Sequence, residues 1–305
     1  MTGAEALLRS LVAEGVDTVF GYPGGAILPV YNALYDFGPE LRHILVRHEQ
    51  GAMHAAQGYA RVTGRTGVVI VTSGPGAANC VTGLSDAMMD STPLVLITGQ
   101  VGASYLGSDA FQETDVVAVT TPITKWAYQV RSADELPEAV AKAFYIASTG
   151  RPGPVVLDIA KDAQIGLLSY SHRHVNFIRS YDPEPQPDSD AIARAAELLN
   201  GARRPMIIAG GGVTLAGASA ELAALAEKAQ IPVAATLMGL SAMPSAHPLF
   251  MGMAGMHGAV GVNVATNRAD VILAVGMRFD DRVTGNTATY ARQARIIHID
   301  IDSSE

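Results

Sequence analysis

Val68-Val69-Ile70-Val71-Thr72-Ser73-Gly74-Pro75-Gly76 is an apolar run that stops on a glycine-bearing turn and opens into an alanine-containing stretch. Consecutive β-branched residues without polar alternation suit a strand buried on both faces, the condition of a parallel sheet covered by helices on each side. The same unit recurs around it. Upstream, Thr2-Gly3-Ala4-Glu5 fits a capping box, and Ala6, Leu7, Leu8, Leu11 and Val12 repeat at helical spacing as far as Gly15. A strand is expected over Val16 to Phe20, and further apolar runs stand at Ile44 to Val46, Leu94 to Thr98 and Val155 to Ile159, separated by Ala-rich helical stretches. Strands alternating with helices predict an α/β fold, doubly wound around a parallel sheet.

Between Gly166 and Pro187 this periodicity fades, and Asp182-Pro183-Glu184-Pro185-Gln186-Pro187-Asp188 has the stiff composition of a linker. A second α/β series follows, with a helix from about Ser189 to Asn200 and strands at Met206 to Ala209, Val233 to Ala235, Val271 to Val275 and Ile296 to Ile299. The expected organisation is a domain over 1–165, a linker over 166–189 and a second domain over 190–305. At roughly 100–200 residues per domain, a chain of 305 residues fits two. The second series stops just after a strand, so that domain is expected to be incomplete.

With 49% hydrophobic and 16% charged residues, the chain is a packed globular protein rather than a disordered one. Its 29 acidic against 21 basic residues, net charge −8, leave no positive stripe for a nucleic acid. The single Cys80 excludes an intramolecular disulfide framework and a zinc site built on several cysteines, and points to a reducing compartment. No segment offers about 18 uninterrupted apolar residues and no secretory h-region opens the chain, so a soluble cytoplasmic protein without membrane contact is expected.

Several turns after strands carry candidate chemistry. Gly21-Tyr22-Pro23-Gly24-Gly25-Ala26 would let backbone approach a ligand at the sheet's carboxyl edge, or serve as a plain turn. Arg47-His48-Glu49-Gln50-Gly51-Ala52 places a carboxylate on the first turn of a small-residue helix, where the dipole favours its charge and where a mere cap also belongs. Ser73-Gly74-Pro75-Gly76 lacks the third glycine of a dinucleotide fingerprint, because Asn79 stands in its place. Asp109-Ala110-Phe111-Gln112-Glu113 sets an aromatic ring beside an amide in a loop, and Ser171-His172-Arg173-His174, two histidines without a third ligand, reads as a solvated loop rather than a metal site. In the second half, Gly210-Gly211-Gly212, Gly255-Met256-His257-Gly258 and Gly276-Met277-Arg278-Phe279-Asp280-Asp281-Arg282 together describe a nucleotide crevice, with Arg278 and Arg282 available to a diphosphate and Asp300 to a ribose.

In order, the blocks Gly21 to Ala26, Arg47 to Ala52, Thr72 to Gly76, Asp109 to Glu113, Gly150-Arg151-Pro152-Gly153-Pro154-Val155, Gly255 to Gly258 and Arg278 to Gly285 make the chain resemble the acetolactate synthase catalytic-subunit family of thiamine-diphosphate enzymes from end to end. The sequence departs from the family wording at Ser241-Ala242-Met243-Pro244 and Ala254, beside the expected flavin path, and at Ala160. The resemblance implies a pyrimidine-binding domain, then a truncated central flavin-binding domain. The family's third, diphosphate-binding domain has no counterpart, and no Gly-Asp-Gly triplet for its magnesium occurs. It implies decarboxylation of pyruvate and transfer of the two-carbon unit to a second 2-oxo acid, in branched-chain amino acid biosynthesis. Its cofactors would be thiamine diphosphate, FAD and Mg2+, with no metal ligand in this chain. By analogy Glu49 activates the cofactor, Gly25 lies at the reacting centre, and Phe111 and Gln112 line the 2-oxo acid pocket. Gly24, Gly25 and Pro75 would hold thiamine diphosphate. Arg151, Gly210, Gly211, Gly212, Met256, His257, Gly276, Arg278, Asp280, Arg282, Val283 and Asp300 would hold the flavin. The family assembles as a homodimer or higher oligomer, with a small regulatory subunit as a further expected partner, and this chain alone is expected to be inactive. Another thiamine-diphosphate decarboxylase, oxidase or carboligase, or a non-catalytic assembly protein, are the competing readings.

Overall fold

The computed structural model describes residues 1–38 and 40–305. They form two compact units, Met1–Pro183 and Glu184–Glu305. The division falls in the Pro-rich stretch. Most of the segment read as linker therefore lies on the first unit: Leu167 bridges Thr2, and the Lys125 ammonium donates to the Tyr181 hydroxyl at 2.9 Å.

In the first unit, β1 (Thr18–Tyr22), β2 (Arg42–Leu45), β3 (Gly67–Val71), β4 (Leu94–Gln100), β5 (Trp126–Val130) and β6 (Pro154–Ala160) form a six-stranded sheet in the order β2-β1-β3-β4-β6-β5. Every pairing is parallel. The period of two along β3 sends Val68 and Ile70 to one face and Val69 and Val71 to the other. Both faces are dry. Val68 and Ile70 pack with Leu7, Leu8 and Leu11 of helix Gly3–Ala13 and with Val140 and Phe144 of helix Leu136–Ser148. Val69 and Val71 pack with Met53 and Ala56 of helix Glu49–Thr63 and Leu84 of helix Val81–Met89. Each such aliphatic side chain contributes about 1.5–3 kcal/mol of burial, which is why the uninterrupted apolar run is compatible only with a doubly covered sheet.

The capping box at Thr2 is present with Glu5 reciprocating, and the first helix ends before Gly15, whose φ is +81°. The first strand starts two residues later than the pattern suggests, at Thr18. Val16 remains buried, but its N–H donates to the Leu11 carbonyl (3.0 Å) and so belongs to the helix exit rather than to the ladder.

The second unit repeats the arrangement with β7 (Pro205–Ala209), β8 (Val233–Ala235), β9 (Phe250–Met253), β10 (Val271–Val275) and β11 (Arg295–Ile299), all parallel, in the order β11-β10-β7-β8-β9. Met206, Ile208 and Ile272 fill one face, Ile207, Val233 and Leu273 the other. In each sheet the chain runs outward in both directions from an inner strand. This makes a switch point between β1 and β3 and another between β7 and β10, where the carboxyl ends of the strands leave a crevice.

Candidate active site

The first crevice collects four segments. β1 leads into Pro23-Gly24-Gly25, the chain after β2 delivers Glu49 as the first residue of helix Glu49–Thr63, β3 leads into Thr72 to Gly76, and the loop after β4 brings Gln112 across. His48 caps the Glu49 helix, its ring Nδ1 accepting from the Gln50 N–H at 3.2 Å. Glu49 is buried, 7% exposed. Its Oε2 accepts from the Asn79 side-chain amide at 2.9 Å. Its Oε1 borders space left by Gly76, where an added Cβ would stand 3.5 Å away. The Glu49 charge is felt nearby. Burial pushes the Tyr31 phenol and the Cys80 thiol up, and the carboxylate adds to both, so Cys80 remains an inert thiol.

Glycine is required at two of these turns. A Cβ on Gly24 would lie 2.5 Å from the Thr72 side chain, whose hydroxyl accepts from the Ala26 N–H (3.3 Å) and ties the two turns together. Gly74 has φ +56°, and a Cβ there would meet the Gln112 carbonyl at 2.8 Å. At Gly25 and Gly51, by contrast, a Cβ would enter open space. Beside Glu49, then, Gly24 and Gly74 sit against neighbouring segments, while Gly25 and Gly51 face free space.

The loop bearing Phe111 and Gln112 is shaped by Glu113, whose carboxylate accepts from the N–H groups of Gly107, Ser108 (3.2 Å) and Ala110 (3.0 Å). These bonds, that from Gly107 first, lower the pKa of Glu113. Asp109 and Gln112 adopt φ of +55° and +57°, a conformation costly for side-chain-bearing residues and typical of ligand-binding loops. Phe111 is 86% exposed.

In the second crevice the glycines interlock. A Cβ on Gly210 would lie 2.1 Å from the Gly276 carbonyl oxygen and one on Gly212 would lie 2.6 Å from the Gly276 Cα, so the turns after β7 and β10 meet backbone to backbone. The Met256 N–H donates to the Arg282 carbonyl (2.7 Å), joining the Gly255-Met256-His257 loop to the Arg278–Val283 segment. Asp280 caps the short helix Asp281–Thr284 and pairs with Arg278 at 3.1 Å. Asp300 follows β11, beside β10.

The family model for the thiamine pyrophosphate enzyme N-terminal TPP binding domain matches residues 1–119, and that for the thiamine pyrophosphate enzyme central domain matches residues 192–305. An acetolactate synthase of Mycobacterium bovis is 52% identical over 305 residues, covering 100% of this chain and 49% of the relative. The acetolactate synthase large subunit of Corynebacterium glutamicum matches to the same extent, 52% over 305 residues with the same coverage. The probable large subunit of Methanocaldococcus jannaschii is 50% identical over 308 residues, 100% of this chain and 52% of the relative. The chain belongs to the acetolactate synthase large-subunit family. It spans about half the length of the curated relatives it matches.

In this acetolactate synthase region the structure brings together Gly24, Gly25, Glu49, Pro75 and Gln112 at one crevice. It brings together Gly210, Gly212, Gly276, Met256, Arg282 and Val283 at the other. Arg151 precedes β6, at the amino end of the first sheet, and its Nε donates to the Ser91 hydroxyl at 2.9 Å, on the opposite edge of that sheet from Glu49. Asn79 was legible only as a missing glycine. Its hold on a carboxylate 30 residues away depends on β2 and β3 both flanking β1. The reading of His172 and His174 as a solvated loop is corrected: the His172 side chain is only 8% exposed and both rings meet Glu14. Among the described residues this trio is the one group of three His, Cys, Asp or Glu side chains close enough to share an ion, and its nitrogen donors do not fit magnesium.

Proposed function

We propose that these residues supply the pyrimidine-binding side of a thiamine-diphosphate site and a flavin-binding central domain. The enzyme would decarboxylate pyruvate and join the two-carbon unit to a second 2-oxo acid. The observation that carries this reading is Glu49, a buried carboxylate held by Asn79 at a crevice with glycine walls. Thiamine diphosphate, when bound, supplies the electron sink for decarboxylation. Glu49 accepts a hydrogen bond from the aminopyrimidine ring and holds the proton there that favours the imino form. Asn79 fixes the carboxylate, and the Gly24-Gly25 turn admits the ring. Gln112, seated on Gly74, and the exposed Phe111 line the approach of the 2-oxo acid.

FAD is assigned to the second crevice, its diphosphate near Gly210 to Gly212, Arg278 and Arg282, its ribose near Asp300. Met256, His257, Gly276, Asp280 and Val283 are assigned to the same flavin path, and Arg151 as a further flavin contact. Support for this lies in the meeting of Gly210, Gly212 and Gly276 at the switch point between β7 and β10, where dinucleotides bind in such sheets. Carboligation needs no redox step, so the flavin's role would be structural. The diphosphate and its magnesium would be held by residues other than these 305, in a homodimer or larger assembly that also takes up a regulatory subunit. A cytoplasmic location accords with the single buried Cys80; among the described residues no helix is long and apolar enough to cross a membrane.

The deciding experiment is Glu49→Gln in the assembled enzyme. Glutamine keeps the shape and loses the charge-assisted bond, so exchange of the thiazolium proton for deuterium should slow about 100-fold or more. An unchanged exchange rate with bound cofactor removes Glu49 from the mechanism.

A further inference from the structure

Glu14 closes the helix Gly3–Ala13, and its carboxylate meets an irregular segment that returns 158 residues later. There Nε2 of His172 donates to Glu14 Oε1 at 2.8 Å, and Nδ1 of His174 donates to the same oxygen at 3.2 Å. The chain over 171–174 belongs to no helix or strand, and His-x-His presents both imidazoles to a single carboxylate oxygen. The rings stand perpendicular with centroids 5.2 Å apart.

An ordinary ion pair would explain one imidazole on one carboxylate, as His54 with Asp86 (3.6 Å), His247 with Glu227 (3.0 Å) and His298 with Asp300 (3.7 Å) do. The Glu14 cluster differs in three respects. Two imidazoles converge on one oxygen. The side chains of Glu14 and His172 are 13% and 8% exposed, and the second ring nitrogen of His172 is shielded without a hydrogen-bond partner. The donor atoms of all three residues lie within 4.8 Å of one another. A tetrahedral zinc with bonds of about 2.0–2.1 Å sets its donors ~3.3 Å apart, so the two observed donor separations need to open by only about half an ångström.

We propose that Glu14, His172 and His174 form a binding site for a borderline divalent transition-metal ion of the zinc type. Two imidazoles and one carboxylate are a three-ligand set that leaves a fourth position open. An open cleft that Glu14 borders together with Tyr59, Tyr145, Ser148 and Val175 gives solvent access to the carboxylate side of the cluster. The guanidinium of Arg65, also on this cleft, is paired with Asp17 at 2.5 Å. The ion would fasten the segment after the first sheet to the end of the first helix, next to the Thr2–Leu167 bridge and the Leu168 N–H bond to the Met1 carbonyl (3.1 Å). This site is independent of thiamine chemistry, and a hard magnesium ion does not compete for its nitrogen donors.

Tag-free protein stripped with a chelator, then titrated with Co2+ and competed with Zn2+, tests the site. One equivalent of Co2+ should give the intense visible absorption of a tetrahedral nitrogen–oxygen site, Zn2+ should displace it, and saturating Zn2+ should raise the melting temperature. His174→Ala removes an exposed ring (69%) and so leaves the metal-free melt unchanged. Both it and Glu14→Gln should weaken Zn2+ binding by at least about 10-fold, a direct ligand costing no less than an outer-sphere partner. No stoichiometric Co2+ spectrum, or Zn2+ affinity unchanged in both variants, overturns the proposal.

Discussion

The carboxylate of Glu49 owes its orientation to one amide. Asn79 Nδ2 donates to Oε2 at 2.9 Å, while Gly76 leaves Oε1 unobstructed. Asn79→Ala therefore removes a hydrogen bond to a buried charged group and leaves that oxygen without its donor, at a cost of about 1–3 kcal/mol. Urea denaturation should show that loss, and thiamine-dependent pyruvate consumption in the assembled enzyme should fall with it. Asn79→Asp should be worse than alanine, since it sets a second carboxylate against the first. Equal stability of all three proteins would mean that Glu49 is held by something else. Glu49 itself was readable from sequence because a charged residue opening an Ala- and Gly-rich helix after a strand is a local pattern. Its partner was not, because 30 residues and a strand crossing separate them, and periodicity carries no information about which turns share a sheet edge. The same holds for Glu14 with His172 and His174, which fold together from the two ends of the first unit.

Among the elements, β6 carries an anomaly in its middle. Asp158 is fully buried, and its carboxylate accepts from the Thr98 hydroxyl (2.6 Å), Gln100 (3.1 Å) and Gln129 (3.2 Å), with no cation paired to it among the described residues. Burial dominates, opposed by these three hydrogen bonds, and the carboxyl is pushed up to about 6. A folded-state value above the unfolded one means the native state binds the proton more tightly, so this contribution is fully present below about pH 4 and is lost as the pH rises through about 6. The loss is on the order of 3 kcal/mol. Subtracting the Asp158→Asn stability profile from that of the wild type, between pH 4 and 7.5, should reveal it as a downward step; a flat difference would show that Asp158 does not titrate in this range.

Glycine placement separates the elements of the second unit in the same way. Gly210→Ala forces a methyl onto the Gly276 carbonyl at 2.1 Å, backbone against backbone, and should cost more than about 2 kcal/mol. Gly261→Ala, in the helix Val260–Thr266 with nothing within 4 Å, should instead stabilise by about 0.5–1 kcal/mol. Thermal melts of the two variants should move in opposite directions. Strands β3, β4, β6, β7 and β10 were legible because they are buried on both faces and read as unbroken apolar runs. β5 was missed because it is an edge strand whose Tyr128 and Gln129 face outward or sideways. β9 was missed because Gly252 breaks it, with φ +103° and a register shift opposite β8.

At the scale of the whole molecule, two parallel sheets each present a switch-point crevice, and only the first carries a buried carboxylate suited to an aminopyrimidine. One charge-assisted hydrogen bond contributes about 1.5–3 kcal/mol, far from the ~8.2 kcal/mol of a micromolar complex. These 305 residues contain no Gly-Asp-Gly triplet, and among the described residues no three Asp or Glu carboxylates lie close enough to share a magnesium ion. A preparation consisting of residues 1–305 alone should therefore fold, bind thiamine diphosphate no tighter than the millimolar range, and make no acetolactate from pyruvate with Mg2+ and FAD. Adding a separately expressed diphosphate-binding domain from an acetolactate synthase should bring turnover up from background, because the missing favourable free energy lies in the diphosphate and its metal. Sustained turnover by residues 1–305 without that addition would place a phosphate site within the Arg278 to Asp302 segment and would reverse the division of the cofactor argued for here.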